Sequence, residues 1–284
     1  MENFSIVIPA RNEAAALGIL LPELRRLYPH CDLIVVNDGS SDDTALIAER
    51  CCARLVSLPH PTGNGAAIKA GARAAITDTI VFMDGDGQHA AADVQRLLAG
   101  LDGGYTMVVG ARGGESQASV SRHLANRFYN LLASWITGQR IADLTSGFRA
   151  VRAQPLREFL HLLPNGFSYP TTITMAFLRA AYPIRYIPIT AAARVGKSHI
   201  RPLRDGVRFA LIIFRIGTFY SPLKIFFPIS ALLFLLGMAN YIYTYLTAER
   251  FTNMSAMLLM ASVFVFLIGL VSEQITALMY QRRD

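Results

Sequence analysis

Cysteine is scarce in this chain. Cys31, Cys51 and Cys52 are its only three. The number is odd, two are adjacent and no CxxC pair occurs, so a disulfide framework is not expected and reduced thiols of a cytosolic domain are. No His/Cys cluster has zinc spacing. There is no G-x-x-x-x-G-K-[ST] loop for a nucleotide phosphate. There is no G-x-S-x-G elbow either, although a Ser/His/Asp set assembled from distant positions stays open. The N-terminus, "MENFSIVIPARNE", lacks a basic stretch followed by an apolar run, so no cleavable signal peptide is expected. Tryptophan occurs once, at Trp135.

Charge is missing from two long stretches. Ile225–Leu246 and Met254–Ser272 contain no Asp, Glu, Lys or Arg. Each can cross a hydrocarbon core as a helix. The competing reading is a pair of soluble core helices, but those are usually amphipathic, and these are apolar on all sides. Tyr241, Tyr243 and Tyr245 suit the membrane–water interface. The link Thr247–Asn253 is short, so a hairpin is expected. Arg194, Lys197, Arg201, Arg204, Arg208, Arg215 and Lys224 precede the first span, and Arg282 and Arg283 follow the second. The positive-inside rule then puts the residues on both sides of the pair, the long N-terminal part and the C-terminus, in the cytoplasm. The segment 200–221 spaces its arginines among apolar residues and reads as an interfacial helix; a third buried helix is the alternative. Much of the +7 net charge falls beside the spans, which favours anionic lipid over nucleic acid as the partner.

The 284 residues leave room for one sizeable α/β domain ahead of the hairpin. "FSIVIPA", "LIVVND", "ARLVSL", "TIVFMD" and "TMVVGAR" read as strands. Helical stretches lie between them, such as the one with Leu17, Leu20, Leu21, Leu24 and Leu27 at helical spacing. Ser41 is the expected N-cap of the second helix. Apolar strands alternating with helices indicate a mostly parallel sheet covered on both faces. Ligands of such sheets bind beyond the carboxyl ends of strands, and Asp38 and Asp84 sit at two such ends.

The stretch "IVFMDGDGQH" runs an apolar strand into two carboxylates. Asp84 and Asp86 repel each other unless a cation lies between them. Hard divalent ions such as Mg2+ or Mn2+ take oxygen ligands and bridge carboxylates to substrate phosphates. Gln88 adds an amide oxygen. A solvated acidic turn is the bland reading of a bare DxD; the strand before it and the second acidic motif, "NDGSSDDT", weigh against it. "GNGAAIKAG" is not a G-x-G-x-x-G fingerprint and follows the third strand rather than the first.

Taken as an ordered set, "SIVIPARNE", "VVNDGSSDDT", "GNGAAIKAG", "FMDGDGQH" and "DLTSGFRA" resemble family-two glycosyltransferases of GT-A (Rossmann-like) fold. The likeness is to polyprenyl-phosphate glycosyltransferases of the dolichol-phosphate mannose synthase type and covers roughly residues 3 to 200. It implies that Pro9, Arg11, Glu13, Asp38 and Lys69, with Asp84 and Asp86, bind a nucleotide-sugar. It implies that Asp84, Asp86 and Gln88 hold the metal bridging the donor diphosphate. Arg112 and Arg122 would meet phosphate charge, and Asn126 stands where the family often has a serine. Asp143 would lie near the sugar, and Arg149 near phosphate or as a structural clamp. Arg194, Lys197 and Ser198 would belong to a loop closing on the donor, or to a basic face on lipid.

The implied domains are a catalytic domain over 1–199, the interfacial segment 200–221, and the hairpin with a short tail over 222–284. The implied activity is metal-dependent, inverting transfer of a hexose from a nucleotide-sugar to a polyprenyl phosphate at the cytoplasmic membrane face. A phosphate monoester is mostly ionised at neutral pH, since its second pKa is about 6, so it attacks without a dedicated base. Two alternatives stand beside this. One is a polysaccharide synthase using a hydroxyl acceptor, disfavoured by the lack of Q-x-x-R-W. The other is a nucleotide-sugar-binding protein without turnover. The sugar, the base and self-association are left open.

Overall fold

The computed structural model describes residues 3–51, 53–112, 120–166, 168–190, 214, 217–218 and 220–280; over 120–126 and at 280 it describes the backbone alone. Two compact units emerge. One comprises 1–135 with 139–205, the other 136–138 with 206–284.

The first unit alternates strands and helices. In chain order they are β1 (Phe4–Ala10), α1 (Ala14–Leu27), β2 (Asp32–Asp38), α2 (Thr44–Arg50), β3 (Arg54–Leu58), α3 (Asn64–Ala74), β4 (Thr79–Phe82), α4 (Asp93–Ala99), β5 (Met107–Arg112), α5 (Val120–Thr137), β6 (Arg149–Arg152), α6 (Ala153–Glu158), α7 (Tyr169–Arg179) and β7 (Ile184–Ile189). The seven strands form one sheet, ordered β3-β2-β1-β4-β6-β5-β7. All neighbours pair in parallel except β6, which runs antiparallel to both β4 and β5. The ends of β1, β2, β4 and β5 therefore share one rim.

Periodicity explains the layers. Leu17, Leu20, Leu21 and Leu24 are the buried stripe of α1 and meet Ile6, Ile8, Leu33 and Val35 from the sheet. Burying each such side chain contributes roughly 1.5–3 kcal/mol. Strands buried on both faces read as unbroken apolar runs, as Ile6–Ile8 and Leu33–Val36 do.

The α3 entry shows what "GNGAAIKAG" does in the fold. A Cβ on Gly65 would lie 2.0 Å from the Pro164 carbonyl oxygen. Without one, the Gly65 N–H reaches the Gly166 carbonyl at 3.1 Å and the Ala66 N–H reaches that of Asn165 at 2.8 Å. The helix N-terminus is closed by chain rather than left open for a phosphate.

One expected cap is corrected. Ser41 does not cap α2: its N–H donates to Asn12 Oδ1 at 2.8 Å. Asp42 serves the helix start, accepting from the Thr44 N–H at 3.1 Å and the Ala14 N–H at 3.1 Å. Burial opposes its charge, but bonds from the Thr44 hydroxyl and these N–H groups outweigh it and hold the carboxyl below its ordinary value.

The second unit holds two long helices, α8 (Pro222–Ala248) and α9 (Asn253–Tyr280). Both are long and apolar enough to cross a membrane, and they form a hairpin. Few of their large side chains pack inside it; Leu235, Leu246 and Phe264 are exposed. Small and polar residues join the pair instead, as expected where lipid replaces water outside. Ser230 Oγ donates to the Ser262 carbonyl at 2.9 Å, and Asn240 Nδ2 to Ser255 Oγ at 2.9 Å. At the open end Glu273 Oε2 accepts the Leu223 N–H at 3.2 Å, satisfying a donor in the first turn of α8.

Candidate active site

Four charged residues meet at the rim. Asp84 and Asp86 follow β4, Arg112 ends β5, and Asp143 lies on the segment leading into β6. Arg112 takes Asp143 in a two-point grip, with Nε to Oδ2 at 2.8 Å and Nη2 to Oδ1 at 3.0 Å. Its Nη2 also donates to Thr145 Oγ1 at 2.7 Å. Asp143 Oδ1 further accepts the N–H groups of Thr145 at 3.0 Å and Ser146 at 3.1 Å.

Burial opposes the Asp143 charge, yet the Arg112 guanidinium and these N–H donors win and hold its carboxyl below the ordinary aspartate value. For Arg112, burial works against charge too, while Asp143 first, then Asp84 and Asp86, push its pKa up. The two partners thus shift in the directions one ion pair requires.

The Asp84 carboxylate fits only because residue 147 is glycine. A Cβ there would sit 2.6 Å from Asp84 Oδ2. On its other side His89 Nε2 stands 3.7 Å from the same oxygen. The His89 ring stacks on Phe148 at 4.8 Å and is almost wholly buried. His89 and Gly147 are site residues that the sequence reading passed over. Both lie in stretches already singled out, His89 at the end of "DGDGQH" and Gly147 within "TSGFR". Asp86 Oδ1 accepts the Gln88 N–H at 3.1 Å, across Gly87 in a left-handed turn, φ 74°.

The donor set suits a hard divalent cation. Asp84 and Asp86 are only partly buried, and the missing side chain at Gly147 leaves room for the Asp84 carboxylate. Among the described residues no group of three or more His, Cys, Asp or Glu side chains gathers as a metal cage. Two carboxylates that leave the rest of the shell to water and substrate phosphates are the usual Mg2+ pattern. Gly147→Ala is expected to displace the Asp84 carboxylate while the fold persists. The Mn2+ concentration giving half-maximal activity should rise roughly tenfold, equivalent to about 1.4 kcal/mol. An unchanged metal dependence would count against the cradle.

The remaining expected residues divide. Pro9 and Arg11 lie at the same rim, at and beyond the end of β1, and Arg11 is exposed. The Glu13 N–H donates to Thr44 Oγ1 at 3.0 Å, tying the loop after β1 to the one after β2. Asp38 is buried, and its carboxylate accepts the Thr62 N–H at 2.7 Å and the Gly63 N–H at 2.9 Å. Lys69 reaches the Leu163 carbonyl at 3.1 Å and the Asn165 side chain, so it braces the loop over α3.

Arg149 is wholly buried. It donates to the Pro170 carbonyl at 3.1 Å, to Thr174 Oγ1 at 3.2 Å and to the Ser146 carbonyl. Of its two expected roles, these contacts match the clamp, and the side chain has no surface to offer a phosphate. The side chains of Arg122 and Asn126, all of Arg194, Lys197 and Ser198, and most of the segment 200–221 lie outside the described residues.

Comparison with known proteins decides the family. Residues 5–160 match the model of glycosyl transferase family 2, more than half of the chain. The chain belongs to glycosyl transferase family 2. A second model, the GtrB C-terminal hairpin, matches residues 221–278 of this glycosyltransferase. An undecaprenyl-phosphate mannosyltransferase of Micrococcus luteus is 31% identical over 207 residues, covering 68% of this chain and 85% of that one. A dolichyl-phosphate hexose transferase of Haloferax volcanii is 28% identical over 218 residues, covering 76% and 94%. Among solved structures, glucosyl-3-phosphoglycerate synthase from Mycobacterium tuberculosis, in complex with Mn2+, uridine diphosphate and glucosyl-3-phosphoglycerate, aligns with a TM-score of 0.57 at 25% identity, covering 76% and 78%. These likenesses agree with the expected GT-A fold and glycosyltransferase class.

Proposed function

We propose that this glycosyltransferase moves a hexose from a nucleotide-sugar to a polyprenyl phosphate at the cytoplasmic face of a membrane, with inversion. The observation that carries the reading is the Arg112–Asp143 pair beside Asp84 and Asp86. Asp143 is held by Arg112, and with Asp84 and Asp86 given to the metal no carboxylate of the rim is left to serve as base or covalent nucleophile. An acceptor that brings its own negative charge needs neither.

Asp84 and Asp86, with Gln88, would hold Mg2+ or Mn2+ against the donor diphosphate. Such an ion supplies charge neutralisation for the departing nucleoside diphosphate. Arg112, held in place by Asp143, adds a fixed cation at the same rim. An oxygen of the acceptor phosphate forms the new bond to the anomeric carbon while the bond to the donor diphosphate breaks on the opposite face. The nucleoside diphosphate leaves with that electron pair, and the acceptor contributes no proton.

The relatives named for undecaprenyl-phosphate and dolichyl-phosphate support the acceptor class. The neighbour bound to Mn2+ and uridine diphosphate supports the donor and metal class. The apolar hairpin, flanked by basic residues, supports a lipid acceptor and the orientation. The test is incubation of membranes containing the full chain with labelled UDP- and GDP-hexoses and a polyprenyl phosphate, with free polyprenol as control. Label appearing in an acid-labile lipid product only with the phosphate is expected. Transfer to polyprenol alone would overturn the acceptor assignment.

A further inference from the structure

Behind the acidic rim lies a buried bracket. Arg149, at the start of β6, is wholly buried, and Tyr169, at the start of α7, is 2% exposed. Their polar atoms converge on two consecutive carbonyls. Arg149 Nη2 donates to the Ser146 carbonyl, and the Tyr169 hydroxyl donates to the Gly147 carbonyl at 3.1 Å. The guanidinium lies over the Tyr169 ring, 5.8 Å from its centre, so the two side chains brace each other. Among the described residues no carboxylate pairs with Arg149. Burial opposes its charge, and Asp143 and Asp84 are the carboxylates that favour it.

The turn that this bracket holds does two things at the rim. Its Thr145 and Ser146 N–H groups bind Asp143, and its Gly147 faces the Asp84 carboxylate. The Tyr169 ring also meets the Phe82 ring edge-on, with centres 6.3 Å apart. Phe82 ends β4, two residues before Asp84. Tyr169 therefore touches both walls of the Asp84 niche: the strand that delivers the carboxylate and the turn that receives it. Backbone strain stands at the same place. Ser168 has φ 79°, a left-handed conformation uncommon for a residue with a side chain. Such strain persists where the surroundings over-determine it, and it gathers at functional sites. Beyond it Tyr169 enters the interior, and the Pro170 carbonyl accepts from Arg149 at 3.1 Å.

We propose that Tyr169 and Arg149 are positioning residues for the metal site: by fixing the Gly147 and Ser146 carbonyls they set the width of the niche in which Asp84 meets the cation. Neither touches the cation or the donor. The proposal rests on the reading that Asp84 and Asp86 hold a divalent ion, and it assigns the support of that site to side chains on β6 and α7. A pair that served the fold alone would matter to stability and not to the affinity for metal.

Binding of Mn2+ alone to the full chain in detergent, followed by the electron paramagnetic resonance of free Mn2+ well below the thermal midpoint, reads this without turnover. Tyr169→Phe removes one hydroxyl and keeps the ring, its contact with Phe82 and its place beside Arg149. The Mn2+ dissociation constant is expected to rise about tenfold, the lower end for outer partners of a metal ligand. Tyr182→Phe is the control. It deletes a hydroxyl bonded to Glu158 at 3.0 Å, just before β7 and so at the opposite end of the strands from the rim, and should leave the constant unchanged. Arg149→Lys keeps the buried charge and loses the two-armed grip, so it should weaken Mn2+ as well. Unchanged affinity in Tyr169→Phe, or in Arg149→Lys should the tyrosine variant not fold, would overturn the proposal. Equal weakening in Tyr169→Phe and Tyr182→Phe would overturn it too, as a general loosening of the domain. A wild type that binds no Mn2+ would overturn the metal reading and this inference with it.

Discussion

Asp86→Ala is expected to reduce transfer by roughly 10²–10³-fold or more, the scale of losing a principal stabiliser of leaving-group charge. Asp86 is a better probe than Asp84. Asp84 is wedged against Gly147 and His89, so removing it also disturbs packing. Asp86 is partly exposed on the loop after β4. Its loss removes the bond accepted from the Gln88 N–H without opening the packing around Gly147, so the thermal midpoint should move less than for a change at Asp84. Donor affinity should fall with the rate, because the carboxylate acts through an ion shared with the diphosphate. EDTA should silence the wild type and Mn2+ or Mg2+ restore it, while neither changes the residual rate of the variant. Normal turnover by Asp86→Ala, or a wild type indifferent to EDTA, would remove the metal from the mechanism.

The rim was legible in sequence because its signals are local. An unbroken apolar strand ending in Asp84-Gly-Asp86 announces a buried element meeting a charged site. The hairpin was legible because charge is absent over the length a bilayer needs. What escaped was set by partners far apart in the chain. Arg149 suits either a place near phosphate or a structural clamp, and only the fold chooses between them: it is buried, held by the Ser146 and Pro170 carbonyls and the Thr174 hydroxyl. Lys69 looks like a helix-borne ligand, but its partners are Leu163 and Asn165, almost a hundred residues on. Strand β6 is short, carries arginine at both ends and pairs antiparallel in a sheet otherwise parallel. No periodicity in four residues could have said so. The pairing of Arg112 with Asp143, two residues expected separately beside phosphate and sugar, required the fold itself.

That pairing makes Asp143→Asn the most informative change after Asp86. The substitution keeps the shape and removes the charge that Arg112 grips. Breaking a buried pair from one side costs roughly 3–5 kcal/mol; because Arg112 is a quarter exposed, the lower end of that range, about 3 kcal/mol, is expected at neutral pH. The sign with pH follows from the shift. The folded carboxyl lies below its ordinary value, so its stabilisation is fully present above the unfolded pKa of about 3.9 and is lost as pH falls through the lower, folded value. Wild type should therefore lose this increment of stability in acid below about pH 4, whereas Asp143→Asn should already lack it at pH 7. The same low basicity bears on catalysis. A carboxylate whose charge is held this firmly is a weak acceptor for a hydroxyl proton, and efficient base catalysis at neutral pH calls for a pKa nearer the operating pH. With a phosphate acceptor, the rate should follow ionisation of that phosphate near pH 6, in wild type and variant alike. Any loss on substitution should be the same at every pH, because it reflects a displaced Arg112. With a hydroxyl acceptor, removing the base should cost about 10²–10⁴-fold and erase a limb of the pH profile. Such a limb vanishing in Asp143→Asn, with thermal stability unchanged, would refute both the ion-pair role and the phosphate acceptor.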